Sequence, residues 1–158
     1  MRKSVIATTP PAAERDNEQG WLDLDQLASV QVTSESPEFP IEAALSLEGT
    51  AAGWRAQSEG EQIIRILFDT PTRIRRIQLK FSEPEAERTQ EFVLRCSPAN
   101  EPMREIVRQQ WNFSPTGSTS EIENYTVDLA DAVTIELVIR PGIGQKKAVA
   151  SLKSMRVA

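Results

Sequence analysis

The chain has 158 residues, 39% of them hydrophobic and 26% charged, and a formal net charge of −5. That length and composition suit one soluble domain with its own core, and the negative balance disfavours nonspecific binding to nucleic acid or to an anionic membrane surface. With no histidine and one cysteine, Ser-His-Asp triads, most zinc sites, the commonest general base and any internal disulfide are excluded.

Residues 1–20 read as an amino-terminal tail, rich in Pro, Ala and charge, in which Pro10 and Pro11 oppose a helix. The apolar part of "MRKSVIATTPPAA" is too short for a signal peptide or a membrane span, so the cytoplasm is the expected location. One domain is expected over 21–158. "WLDLDQLA" reads as a short helical turn or a lead-in strand. Beyond it the apolar period is two. "SVQVTS" puts Val30 and Val32 on one face. "QIIRILFD" puts Ile64, Ile66 and Phe68 on one face with Ile63 and Leu67 on the other, which predicts a central strand covered on both sides. "RIQLKF" turns Ile77, Leu79 and Phe81 inward, and "EFVLRCS" turns Phe92, Leu94 and Cys96 inward, so Cys96 reads as a small core residue. "MREIVRQQW" offers Met103 or Ile106 with Val107 and Trp111. "YTVDL" offers Tyr125, Val127 and Leu129, and "VTIELVIRP" offers Val133, Ile135, Leu137 and Ile139. In "AVASLKSMRV" the alternation slips by one between Leu152 and Met155, which predicts a bulge. Only "PIEAALSLEG" looks helical.

Turn signals separate these runs, among them "DTPTR", "SEPEAERT", "SPANEP", "NFSPTGSTSE", "LADA" and "RPGIGQKK". About eight short strands with regular turns predict an all-β jelly-roll β-sandwich of antiparallel strands.

Residues 27–157 carry a resemblance in their order of motifs. Ala43-Ala44-Leu45 stands as an Ala-rich turn, followed by Gly49, by Trp54 and by the strand Ile63 to Phe68. "FVLRCSPANEPMREI", "YTVDLADAVTIELVIRPG" and "ASLKSMRV" follow as hairpin, late strand pair and closing strand. This succession resembles the discoidin, or F5/8 type C, family of the galactose-binding-like fold. "WRAQSEGE" is similar to one intracellular branch, the amino-terminal domain of the DNA single-strand-break repair scaffold protein. The resemblance implies a non-catalytic binding module whose loops at one end of the sandwich hold a carbohydrate or small polar ligand. No cofactor is expected. Calcium-binding relatives carry an acidic side chain in a turn and a Glu in the last strand, and here Glu48-Gly49 and Ser154 occupy those places, so a structural calcium is poorly supported.

If each strand reverses direction, the loops at 34–40, 58–61, 83–89, 113–123 and 141–147 share one end. The turns at 69–72, 98–102 and 130–132 share the other. Function on a β scaffold concentrates in such loops. The resemblance and the loop chemistry together nominate Phe39, Trp54, Arg55, Arg88 and Lys146 as ligand contacts. Trp54 is either a sugar-stacking platform or, as the weightier reading, a plug in the sandwich. The same end carries Glu35, Glu38, Glu59, Glu61, Glu83, Glu85 and Glu87. This acidic rim reads as ordinary solvated loop charge, or as a surface for a basic protein partner. Arg73, Arg75 and Arg76 at the opposite end read as a solvated edge, and without interleaved aromatics they make a poor nucleic-acid site. No nucleophile, metal cage or cofactor motif is present, and loop carboxylates alone do not make the cleft that glycoside hydrolysis needs.

Overall fold

The computed structural model of the chain describes residues 20–48 and 52–158. The expected tail lies outside the described residues except for Gly20, as does Gly49. In chain order the elements are α1 (Leu24–Leu27), β1 (Ala28–Val32), α2 (Glu42–Leu45), β2 (Trp54–Glu59), β3 (Gln62–Ser82), β4 (Arg88–Pro98), β5 (Arg104–Phe113), β6 (Ser120–Arg140), β7 (Val149–Leu152) and β8 (Ser154–Val157). All the strand pairs are antiparallel. Among the described residues no helix is long and apolar enough to cross a membrane.

Alternation shapes the strands as expected. Ile64 and Ile66 are buried while Ile63, Arg65 and Leu67 stay half-exposed on the opposite face. The expectation that this strand is covered on both sides is therefore corrected. β3 is central because it pairs with β1 on one edge and β6 on the other. Its outer apolar residues, however, share their face with Arg65 and, across β6, with Glu136. The long aliphatic stem of an arginine supplies partial cover there in place of a further layer.

A second correction concerns "DTPTR" and "LADA". They are not turns between strands but bends within them. β3 and β6 remain paired from Gln62↔Ile139 to Ser82↔Ser120, with register shifts between Leu67 and Arg76. Pro71 has no N–H to give a ladder and sits within this irregular stretch, where bulges let a paired ribbon bend. The first half of β3 and the second half of β6 thus join β1, β4 and β5 in one layer, in the order β1-β3-β6-β4-β5. The remaining halves, with β8, form the other. The layers meet where the Phe81 and Phe92 rings stack with centroids 5.3 Å apart. Ile77, Leu79, Leu94, Cys96, Ile135, Leu137 and Met155 fill the space between, each no more than 1% exposed.

The slip in "AVASLKSMRV" has a structural reason. Leu152 pairs with Trp54 of β2, whereas Met155 pairs with Leu79 of β3. Lys153 is the exposed residue at the change of partner, and its N–H donates to the Lys80 carbonyl at 2.8 Å. Gly53 lies against this point with φ +69°, and a Cβ there would meet the Leu152 carbonyl oxygen and come within 2.7 Å of Lys153 Cα. Both the positive φ and the backbone contact demand glycine. Gly53→Ala is expected to cost at least about 1–2 kcal/mol from the backbone conformation alone, read as a lowered denaturation midpoint with an unchanged m-value.

Candidate functional site

Direct contacts tie several loops together at one end of the sandwich. The Gly60 N–H donates to the Ala148 carbonyl, Glu83 N–H to Thr119, and Ile143 N–H to Thr89, at 2.8–3.0 Å. Arg140 Nε reaches Glu61 Oε1 at 2.8 Å. Loop 34–40 is stitched to β2 by Ser36 N–H to the Arg55 carbonyl and Arg55 N–H to the Phe39 carbonyl. At the far end the Ala99 N–H donates to the Asp131 carbonyl. Arg73, also away from the loop end, is paired with the exposed Asp128.

A cleft of about 640 Å³ opens between loop 83–88 and segment 145–149, with Arg55 and Ser151 completing its walls. Its size falls within the roughly 300–1,000 Å³ of small-molecule sites. A smaller recess of about 210 Å³ adjoins it across Arg55, Pro84 and Ser151.

Loop 83–88 is held by its own first and last residues. Glu83 Oε2 accepts from the Glu85 and Ala86 N–H groups at 3.3 Å, and Oε1 accepts from Arg88 Nε at 2.8 Å. Burial pushes the Glu83 carboxyl up, but the Arg88 guanidinium and the two turn amides together hold it below its ordinary value. Arg88 is only 3% exposed. Its Nη1 donates to Gln90 Oε1 at 3.0 Å and to the Pro141 carbonyl at 2.8 Å, and its guanidinium lies 4.9 Å from the Phe113 ring centroid. Arg88, expected as a ligand contact, does line the cleft, but these contacts make it a strut joining the loop to β4 and to the end of β6.

The other nominated residues separate in the same way. Arg55 is exposed, lines the cleft, and rests over the Phe39 ring at 5.3 Å. Phe39 is half-buried and backs that guanidinium rather than lining the cleft. Trp54 is fully buried, with Nε1 donating to the Ser34 carbonyl at 3.1 Å, so its ring offers no face to a ligand. Lys146 is exposed on the cleft wall, and its neighbours Gln145 and Lys147 line the same wall. The "GQKK" turn contained all three, yet only Lys146 was singled out from it. Gln145 Nε2 donates to the Glu87 carbonyl at 3.3 Å and so ties one wall to the other.

Much of the acidic rim is already engaged. Glu35 Oε2 accepts the Ile41 N–H at the start of α2, Glu61 pairs with Arg140, and Glu83 pairs with Arg88. Glu38, Glu59, Glu85 and Glu87 are exposed and make no ion pair with the described residues.

Beneath the loop end the two layers enclose a further polar cluster. Glu121 of β6 stands opposite Phe81 and is 1% exposed. Among the described residues neither of its carboxyl oxygens makes a well-formed hydrogen bond, and the same holds for Gln90 Nε2, which lies beside it, and for Arg88 Nη2. Burial first, and then the nearby Glu123 carboxylate, push the Glu121 carboxyl up to about 7. Burial likewise raises the Tyr125 hydroxyl, whose O–H donates to Glu123 Oε2 at 3.1 Å. Sequence reading missed Glu121, because "NFSPTGSTSE" has turn composition and residues 113–123 read as a loop, whereas β6 already begins at Ser120.

No protein-family model and no curated protein sequence matches the chain. Solved structures do. The family 32 carbohydrate-binding module of NanJ from Clostridium perfringens, in complex with galactose, superposes with a TM-score of 0.63 at 14% identity, over 87% of this chain and 96% of that one. The family 32 module of AlyQ, in complex with 4,5-unsaturated mannuronic acid, gives 0.62 at 13% identity, over 89% and 98%. Reduced XRCC1 bound to the catalytic domain of DNA polymerase β gives 0.60 at 12% identity, over 88% and 98%, so the amino-terminal domain of XRCC1 is among the structures of like fold. From its paired strands and these superpositions, the chain has the galactose-binding-like β-sandwich fold.

Proposed function

We propose that the chain is a non-catalytic binding module that takes a carbohydrate or small polar ligand in the cleft between loop 83–88 and segment 145–149. The observation that carries this reading is the convergence of Arg55 and Lys146, two of the nominated residues, on the walls of one cleft. The sugar complexes of the NanJ and AlyQ modules support a saccharide as the ligand class. Calorimetric titration with a panel of neutral and acidic oligosaccharides tests it. Binding is expected, and Lys146→Ala should weaken it about tenfold, the effect of losing roughly 1.4 kcal/mol, with no change in melting temperature. Silence across the whole panel would remove the reading.

The XRCC1 complex supports a second reading, an intracellular protein-interaction module. Here Glu38, Glu59, Glu85 and Glu87 would meet a basic partner. Affinity for such a partner should fall steeply between low and physiological salt, and salt-insensitive binding would count against it.

A further inference from the structure

We infer that the cleft selects acidic saccharides, with a sugar carboxylate seated against Lys146, Lys147 and Arg55 and ring hydroxyls turned to Glu85 and Glu87. This rests on the saccharide reading of the cleft and specifies its ligand class. None of the described residues lining the cleft is aromatic. The stacking surface that would hold the C–H face of a neutral sugar is therefore missing, and charge and hydrogen bonding must supply the contact energy.

The charges are not evenly matched. Glu83 and Arg88 pair with each other, and the Glu83 carboxylate is further occupied by two turn amides. Arg55, Lys146 and Lys147 then stand against Glu85 and Glu87, all five exposed and lining one cleft without an ion pair among them. An excess of cations here runs against the net charge of −5 for the whole chain. A neutral sugar would leave the one excess positive charge without a counter-charge, and a cationic ligand would face more repulsion than attraction. An acidic sugar supplies one carboxylate to the cations and several hydroxyl donors to the two glutamates.

The walls are also set in advance. Arg55 is supported on the Phe39 ring, loop 83–88 is closed on itself by Glu83, and Gln145 bridges to the Glu87 carbonyl. Less ordering is then required at the moment of binding.

The test is calorimetry on the full chain with trigalacturonate, trimannuronate and sialyllactose, each beside its carboxyl-methylated form, together with neutral galactotriose and polyglutamate. At least one free acid should bind at least tenfold more tightly than its methyl ester. The double variant Lys146→Gln/Lys147→Gln should abolish that preference while melting at the wild-type temperature. Equal binding of acid and ester, or preference for galactotriose, overturns the inference and leaves the saccharide reading standing. Polyglutamate binding as tightly as the sugars overturns it in favour of general anion attraction. No binding to any saccharide overturns both.

Discussion

Arg88→Met is expected to be the most damaging single change near the cleft, costing about 3–5 kcal/mol of stability, the range for removing one partner from a buried ion pair. Methionine keeps the aliphatic stem and removes the guanidinium. Gone with it are the Nε contact to Glu83, the Nη1 contacts to Gln90 and the Pro141 carbonyl, and the packing over Phe113. The Glu83 carboxylate, the Gln90 amide and a backbone carbonyl lose their donors, and such orphaned groups are what make the loss large. For a chain of this size the melting temperature should fall by roughly 10 °C or more. Glu83→Gln keeps an acceptor for Arg88 and should cost less. If Arg88→Met melts within a degree or two of wild type, the strut role is wrong and the guanidinium is free to meet ligand instead.

Glu121→Gln is expected to act in the opposite direction, stabilising the fold by about 3 kcal/mol at pH 8 and by almost nothing at pH 4.5. The sign follows from proton uptake. The Glu121 carboxyl stands near 7 in the fold against an ordinary 4.5. Between those values the folded state therefore holds the proton and the unfolded state does not. Stability contributed by Glu121 then rises as pH falls from about 7 towards 4.5, and its ionisation works against the fold above 7. The groups facing it are Gln90 and Arg88 from β4, Phe81 from β3 and Glu123 on its own strand. The Gln90 amide and then Arg88 pull the carboxyl down, but burial and Glu123 outweigh them. Glu83 has the reverse slope, since its depressed value gives stability above its ordinary range that is lost as pH falls through its folded value. Urea melts of wild type and Glu121→Gln at pH 4.5, 6 and 8 separate the two groups. A variant less stable than wild type at pH 8 would mean that Glu121 is ionised and held by Arg88 Nη2.

The layers of the sandwich were legible wherever burial alone decides which way a side chain points. Ile77, Leu79 and Phe81, Phe92, Leu94 and Cys96, and Ile135, Leu137 and Ile139 are all buried as their alternation predicts. The one-residue slip before Met155 marked a real change of partner. The continuity of β3 and β6 through residues 69–75 was not legible. Asp69, Thr70 and Pro71 have turn composition and fall in the unpaired gap between the Leu67↔Thr134 and Thr72↔Ala132 pairs, so only the pairing on either side of them carries the strand through. The role of Arg88 was hidden for a related reason. An arginine beside a loop reads as exposed until Phe113 and the Pro141 carbonyl, 53 residues further on, close over it. Trp54 already reads more as plug than as platform, and it is buried where it pairs with Leu152 and gives its N–H to Ser34. Lys146 and Lys147 were readable as loop cations. What could not be read was that they face Arg55 across a cleft, because β2 and β7 pair over nearly a hundred intervening residues.

Mapping the bound ligand onto the backbone tests the central claim most directly. The experiment is a ¹H–¹⁵N NMR titration of the full chain with whichever oligosaccharide of the panel binds most tightly. Amide shifts confined to loop 83–88, segment 145–149 and the Arg55 strand are the predicted result. Shifts gathered instead at residues 69–72, 98–102 and 130–132, or on the outer face around Glu136, would place the ligand elsewhere and contradict the assignment of the cleft.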